Sequence, residues 1–95
     1  MQHLSSKFSQ LQCPSSSGRC RNYVNVTTVH DAYHNMNMNA AACDQCNQTL
    51  ASNDIVLHCK PNKTHQYGFD LCVNCGEKVL IEQQKVILQK LKREV

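Results

Sequence analysis

Two close cysteine pairs constrain this chain more than any other feature: Cys43-x2-Cys46 and Cys72-x2-Cys75, with 25 residues between them. Two residues between cysteines let the backbone turn around a metal so that both sulfurs reach one ion, and two such knuckles complete a tetrahedral shell. A soft all-thiolate set favours zinc, with an iron centre as the lesser alternative. The segment 43–75 has Leu50, Ile55, Leu57, Tyr67, Phe69 and Leu71 as its larger apolar side chains, too few to offset its own conformational entropy. A structural zinc contributes on the order of 10 kcal/mol in comparable fingers, so one Zn2+ is expected to hold this segment together. Four cysteines form a closed shell with no position for water, which argues against catalysis.

Composition agrees. Of the 95 residues, 41% are hydrophobic, but seven of these are cysteine, aromatics make up 5% and there is no tryptophan. That excludes a large single-core enzyme fold. No apolar run approaches the roughly 20 residues a bilayer requires, so no membrane association is expected. The net charge of +3 is mild and does not by itself imply a polyanion partner.

An odd cysteine count cannot pair off fully in disulfides within one chain, and the first residues carry no apolar stretch of secretory type. Metal ligands or free thiols are therefore expected, in an intracellular, cytoplasmic or nuclear, setting. The first 30 residues hold Lys7, Arg19 and Arg21 and no acid, with Leu4, Phe8 and Leu11 at helical spacing. An organelle-targeting segment has this look, but three charges are a thin signal and a polar tail is the preferred reading.

Three parts follow. Residues 1–42 are Ser- and Asn-rich and are expected to be mostly disordered, with a short strand at 23–29. Residues 43–76 form the finger, with a strand at 54–59 on which Ile55, Leu57 and Cys59 share a face, turn chemistry at 60–63, and hence a short hairpin between the knuckles. Residues 77–95 read as helix, with Gly76 at the junction. The fold class is a small zinc-stabilised α+β finger, treble-clef-like, followed by a C-terminal amphipathic helix.

Cys59 is expected to pack with Ile55 and Leu57 as a small hydrophobe, with His65 in a loop; a second metal centre on the two is the alternative, two ligands short of completion. His58 points to the opposite strand face from Cys59. Cys13 and Cys20, in a flexible Ser-rich stretch, are expected to be surface thiols.

Cys43-Asp44-Gln45-Cys46, the strand ending at Cys59, and Gly68-Phe69-Asp70-Leu71-Cys72-Val73-Asn74-Cys75 resemble the ZZ-type zinc finger, over about a third of the chain. The resemblance to C1-like cysteine/histidine fingers is weaker. The ZZ resemblance implies a first zinc on Cys43, Cys46, Cys72 and Cys75. It also implies a second beginning at Cys59, whose next ligand position is Asn62 here; His65 could stand in for the missing cysteine. The family's closing histidine pair is absent. ZZ fingers are protein-interaction modules, several of which hold a peptide amino terminus in an acidic pocket; Asp44 is the residue to meet such a cation. The preferred reading of Asp44 is that it accepts backbone amides within its own knuckle turn, and the two roles are compatible.

In the helix, Leu80, Gln84, Ile87, Leu91 and Glu94 fall on one line, with Ile81, Leu88 and Val95 beside it. The finger can cover only the first turns, so Leu80, Ile87, Leu88 and Leu91 are expected to dock a partner, as a short coiled coil or a helix in a groove. The expected function is a zinc-binding interaction or adaptor module with protein partners at finger and helix. A nucleic-acid-binding finger is the alternative, disfavoured because the basic residues lie mainly outside the finger. A RING-type ligase requires eight interleaved ligands, and only seven Cys and His lie between residues 43 and 75.

Overall fold

The computed structural model describes residues 2–15, 20–34, 40–63, 65 and 68–93. Arg19, Tyr67, Glu94 and Val95, and the Asn/Met tract at 35–39, lie outside them. In chain order the elements are helix α1 (Gln2–Lys7), strand β1 (Asn25–Thr28), a single helical turn α2 (Val29–Ala32), strands β2 (Ala40–Ala42), β3 (Thr49–Ala51), β4 (Ile55–Cys59) and β5 (Phe69–Leu71), and helix α3 (Val73–Arg93).

The expected hairpin is present. β4 and β5 pair antiparallel with Leu57 opposite Leu71, His58 opposite Asp70 and Cys59 opposite Phe69. β1 adds on the other side of β4, Val26 opposite Leu57, giving the order β1-β4-β5. β4 is thus the central strand, and Val56, Leu57, His58 and Cys59 are all buried. The alternation read from the sequence assigned one buried face; the second is buried because α2 and Tyr33 lie over it, with the Tyr33 ring edge-on to His58 at 5.1 Å. β2 and β3 form a separate two-stranded sheet that brackets the first knuckle.

The N-terminal part differs from its expected disorder. Phe8, Leu11, Cys13, Cys20 and Val24 are buried in the same core cluster as Val56, Leu57 and Leu71. The helical spacing of Leu4, Phe8 and Leu11 therefore serves the core. This arm is fastened by paired amide bonds: the Gln12 N–H donates to Gln83 Oε1 (3.1 Å) and Gln83 Nε2 donates to the Gln12 carbonyl (2.8 Å). Lys7 also pairs with Glu77 of α3. The arm lacks the apolar density to order itself; tertiary partners supply the order.

α3 begins at Val73, four residues before the expected start, so its first turn contains Cys75 and Gly76. Gly76 is more than a junction. A Cβ there would lie 2.0 Å from Leu57 Cδ1 and 3.5 Å from Phe8 Cε1, so helix and central strand approach more closely than any side chain at that position permits. Leu57 is fully buried and has little room to give. Gly76→Ala should gain about 1 kcal/mol in helix propensity but overpack the core by up to about 3 kcal/mol. A net fall in Tm of roughly 10 °C is expected. In a Leu57→Ala background the same substitution should cost little, and an equal cost in both backgrounds would refute the collision.

Candidate metal centres

Two tetrads of metal-binding side chains emerge from this packing, each with its four ligand atoms within 4.8 Å of one another: Cys43, Cys46, Cys72 and Cys75, and Cys13, Cys20, Cys59 and His65.

The first tetrad is the one legible in the sequence. The Cys43–Cys46 knuckle occupies the end of the β2–β3 hairpin, where the Cys43 N–H donates to the Gln48 carbonyl (2.9 Å) and the Asn47 N–H to the Cys43 carbonyl (2.8 Å). Asn47 closes the turn at φ 65, a left-handed conformation that asparagine tolerates better than most residues. The second knuckle leads from β5 into α3, and the Cys75 N–H points at Cys72 Sγ (3.5 Å). Cys46 and Cys72 sulfurs lie 3.8 Å apart.

Asp44 fastens the two knuckles together. Its N–H donates to the Asp70 carbonyl (2.8 Å), and its Oδ2 accepts from the Asp70 N–H (2.7 Å). The amide it accepts therefore comes from β5 and not from its own turn, although Asp44 itself remains exposed. Asp70 is buried and fully engaged, its Oδ1 on His58 Nδ1 (2.8 Å) and its Oδ2 receiving the Tyr33 hydroxyl. Burial, followed by the adjacent Asp70 carboxylate, pushes the Tyr33 phenol well above its usual range. His58 thus belongs to this buried network on the far face of β4 and to neither tetrad.

The second tetrad contains the residues that sequence reasoning missed. Cys13 and Cys20 are buried, not surface thiols. Cys20 and Cys59 sulfurs are 3.7 Å apart, and Cys13 Sγ is 3.5 Å from His65 Nε2. His65 does join Cys59. Asn62 does not replace a ligand: its Nδ2 points at Cys20 Sγ (3.4 Å) and lies 3.9 Å from Cys59 Sγ. The signal available in the sequence was the missing half of the Cys59/His65 centre, together with two otherwise unused cysteines.

These separations fit zinc. Four sulfurs at about 2.3 Å from a tetrahedral ion stand about 3.8 Å apart, and a sulfur and an imidazole nitrogen stand about 3.6 Å apart. Protonation points the same way. Burial opposes ionisation of Cys43, but the backbone N–H groups of Cys72, Cys46 and Gln45 bring it down to about 7. Burial likewise opposes Cys20, yet the Asn22 N–H, the Asn62 amide, His65 and Cys59 lower it to about 6. Other thiols are pushed up: burial and then its neighbouring thiols raise Cys75 to about 12, and burial followed by Cys13 raises Cys59. In each tetrad one thiol is drawn toward ionisation while others are pushed away from it, a tension that a bound dication relieves.

Along the chain the two sets alternate: Cys13 and Cys20, then Cys43 and Cys46, then Cys59 and His65, then Cys72 and Cys75. Eight ligands interleave, so the count of seven between residues 43 and 75 no longer stands against a cross-braced arrangement. Compared with family models, curated proteins and solved structures, the chain finds no match. What is established is a small α+β chain with a short antiparallel sheet, a C-terminal helix and two cysteine-rich clusters of metal-binding geometry.

Proposed function

We propose that this chain is a protein-interaction module built around two zinc ions, ZZ-like in its first centre, with the finger as a peptide-binding surface and α3 as a docking arm. The observation that carries it is the gathering of each set of four ligand atoms within 4.8 Å of one another, with Cys46–Cys72, Cys20–Cys59 and Cys13–His65 at tetrahedral-zinc separations. The second ion departs from the ZZ pattern by drawing Cys13 and Cys20 from upstream of the finger, where that family uses a histidine pair near its end. Both shells are closed by protein ligands, which suits structural metal and leaves no open position for metal-assisted chemistry.

A zinc centre with four thiolates carries a net charge of about −2, and one with three thiolates and a neutral imidazole about −1. With exposed Asp44 beside the first centre, the finger surface suits a cationic group such as a peptide amino terminus better than a phosphate backbone. Nucleic acid is therefore not proposed as the partner. Among the described residues no helix is long and apolar enough to cross a membrane.

Metal analysis of the purified chain should return two zincs. Asp44→Asn keeps the acceptor oxygen for the Asp70 amide and removes only the charge. It should retain both zincs while losing at least roughly tenfold in affinity for peptides with free amino termini relative to acetylated ones. Fewer than two zincs, or no preference for the free amine in the parent chain, would defeat this reading.

A further inference from the structure

The docking arm just proposed has a charge pattern that names its partner. Leu80 is buried at 9% exposure and belongs to the chain's own core, so it is not a docking residue as the sequence reading had it. Beyond it the same stripe runs off the body: Ile81, Ile87, Leu88 and Leu91 are between 52% and 58% exposed, and Val86 is exposed on the far side of Lys90. Ile87 and Leu91 continue the line of Leu80 and Gln84, with Ile81 and Leu88 on the row beside it, a narrow seam of the width one neighbouring helix covers.

The flanks of that seam are basic. From Gln83 to Arg93 the sequence holds Lys85, Lys90, Lys92 and Arg93 and no acid; Lys85 reaches back to Glu82 (3.4 Å), an exposed pair open to exchange with a partner's carboxylate. On a helical projection Lys85 and Lys92 border the seam on the side of Ile81 and Leu88, and Lys90 borders it on the other side. A second copy laid along this half, in either direction, would bring lysines against lysines. A lipid surface suits a broader apolar face with aromatic anchors, whereas this seam carries Gln84 in its middle and no aromatic residue. Positive flanks on a narrow aliphatic seam are complementary to an amphipathic helix with glutamate or aspartate beside its apolar face.

We infer that the outer half of α3 docks an acidic amphipathic helix of a partner protein, Ile87, Leu88 and Leu91 packing the seam while Lys85, Lys90 and Lys92 select the acidic flanks. This rests on the interaction-module reading. Two synthetic helical peptides with the same leucine seam, one flanked by glutamate and one by lysine, provide the test against the full zinc-loaded chain. The glutamate peptide should bind at least roughly tenfold more tightly, and the preference should shrink with added salt. Lys85→Glu with Lys92→Glu should reverse it, and Ile87→Asp should abolish binding, each with zinc content unchanged. Equal binding of both peptides, insensitivity to Ile87→Asp, concentration-dependent dimerisation through this face, or stronger binding to phosphatidylserine vesicles than to the glutamate peptide would overturn the inference. Loss of zinc or of helical signal in the parent chain would instead count against the module itself.

Discussion

A strong chelator should release both zincs and unfold the chain in a single transition, monitored by zinc release and by loss of the α3 helical signal in circular dichroism. The reason is the alternation of the ligand pairs. The loop that the second centre closes between Cys20 and Cys59 contains Cys43 and Cys46, and the loop that the first centre closes between Cys46 and Cys72 contains Cys59 and His65. The β4–β5 hairpin connects them directly, since β4 ends on Cys59 and β5 leads into Cys72. Losing either ion frees one end of a hairpin only three residue pairs long. Structural zinc contributes on the order of 10 kcal/mol or more per site, comparable with the whole stability of a small domain, about 5–15 kcal/mol. Release of one zinc with the full helical signal retained would show that the centres are independent.

Cys20→Ser should lower the zinc content from two to one or below and remove most of the chain's stability. The expectation differs sharply from that for a surface thiol, whose replacement changes stability by no more than about 0.5 kcal/mol. Cys20 is buried, its sulfur is 3.7 Å from Cys59, and the Asn62 amide is directed at it. Serine keeps the size but not the soft thiolate. The arm would then lose its anchor at the second centre, keeping among the described residues the Gln12–Gln83 amide pair, the Lys7–Glu77 ion pair and apolar packing, and Leu57 and Gly76 beneath Phe8 would be opened to solvent. Amide exchange should show protection lost first across this arm. A Cys20→Ser chain that keeps two zincs and an unchanged Tm would refute the second centre.

The sequence was most legible where ligands are close neighbours. Cys43, Cys46, Cys72 and Cys75 stand out because a two-residue spacing is itself the geometry of a knuckle. The alternation around residues 54–59 and the turn residues after it were sufficient to place the β4–β5 hairpin. Cys13 and Cys20 were not legible in this way. Six residues separate them, and nothing local to a Ser-rich sequence fixes where its two cysteines lie. Gly76 is a comparable case: its sequence context reads as a helix boundary, and only the approach of Leu57 to 2.0 Å from its would-be Cβ reveals a packing requirement.

By itself the sequence determined which residues form the first tetrad and that a helix with an unspent apolar stripe follows it. Periodicity and short spacings are local properties, written in consecutive residues. Tertiary structure alone decided that the polar N-terminal arm belongs to the core, that Cys13 and Cys20 complete the half-centre begun by Cys59 and His65, and that the two sets interleave. Those are long-range pairings, 52 residues apart for Cys13 and His65 and 71 for Gln12 and Gln83. They are set by which surfaces remain to be buried once the central strand has both faces covered, a quantity that exists only when the chain has closed on itself.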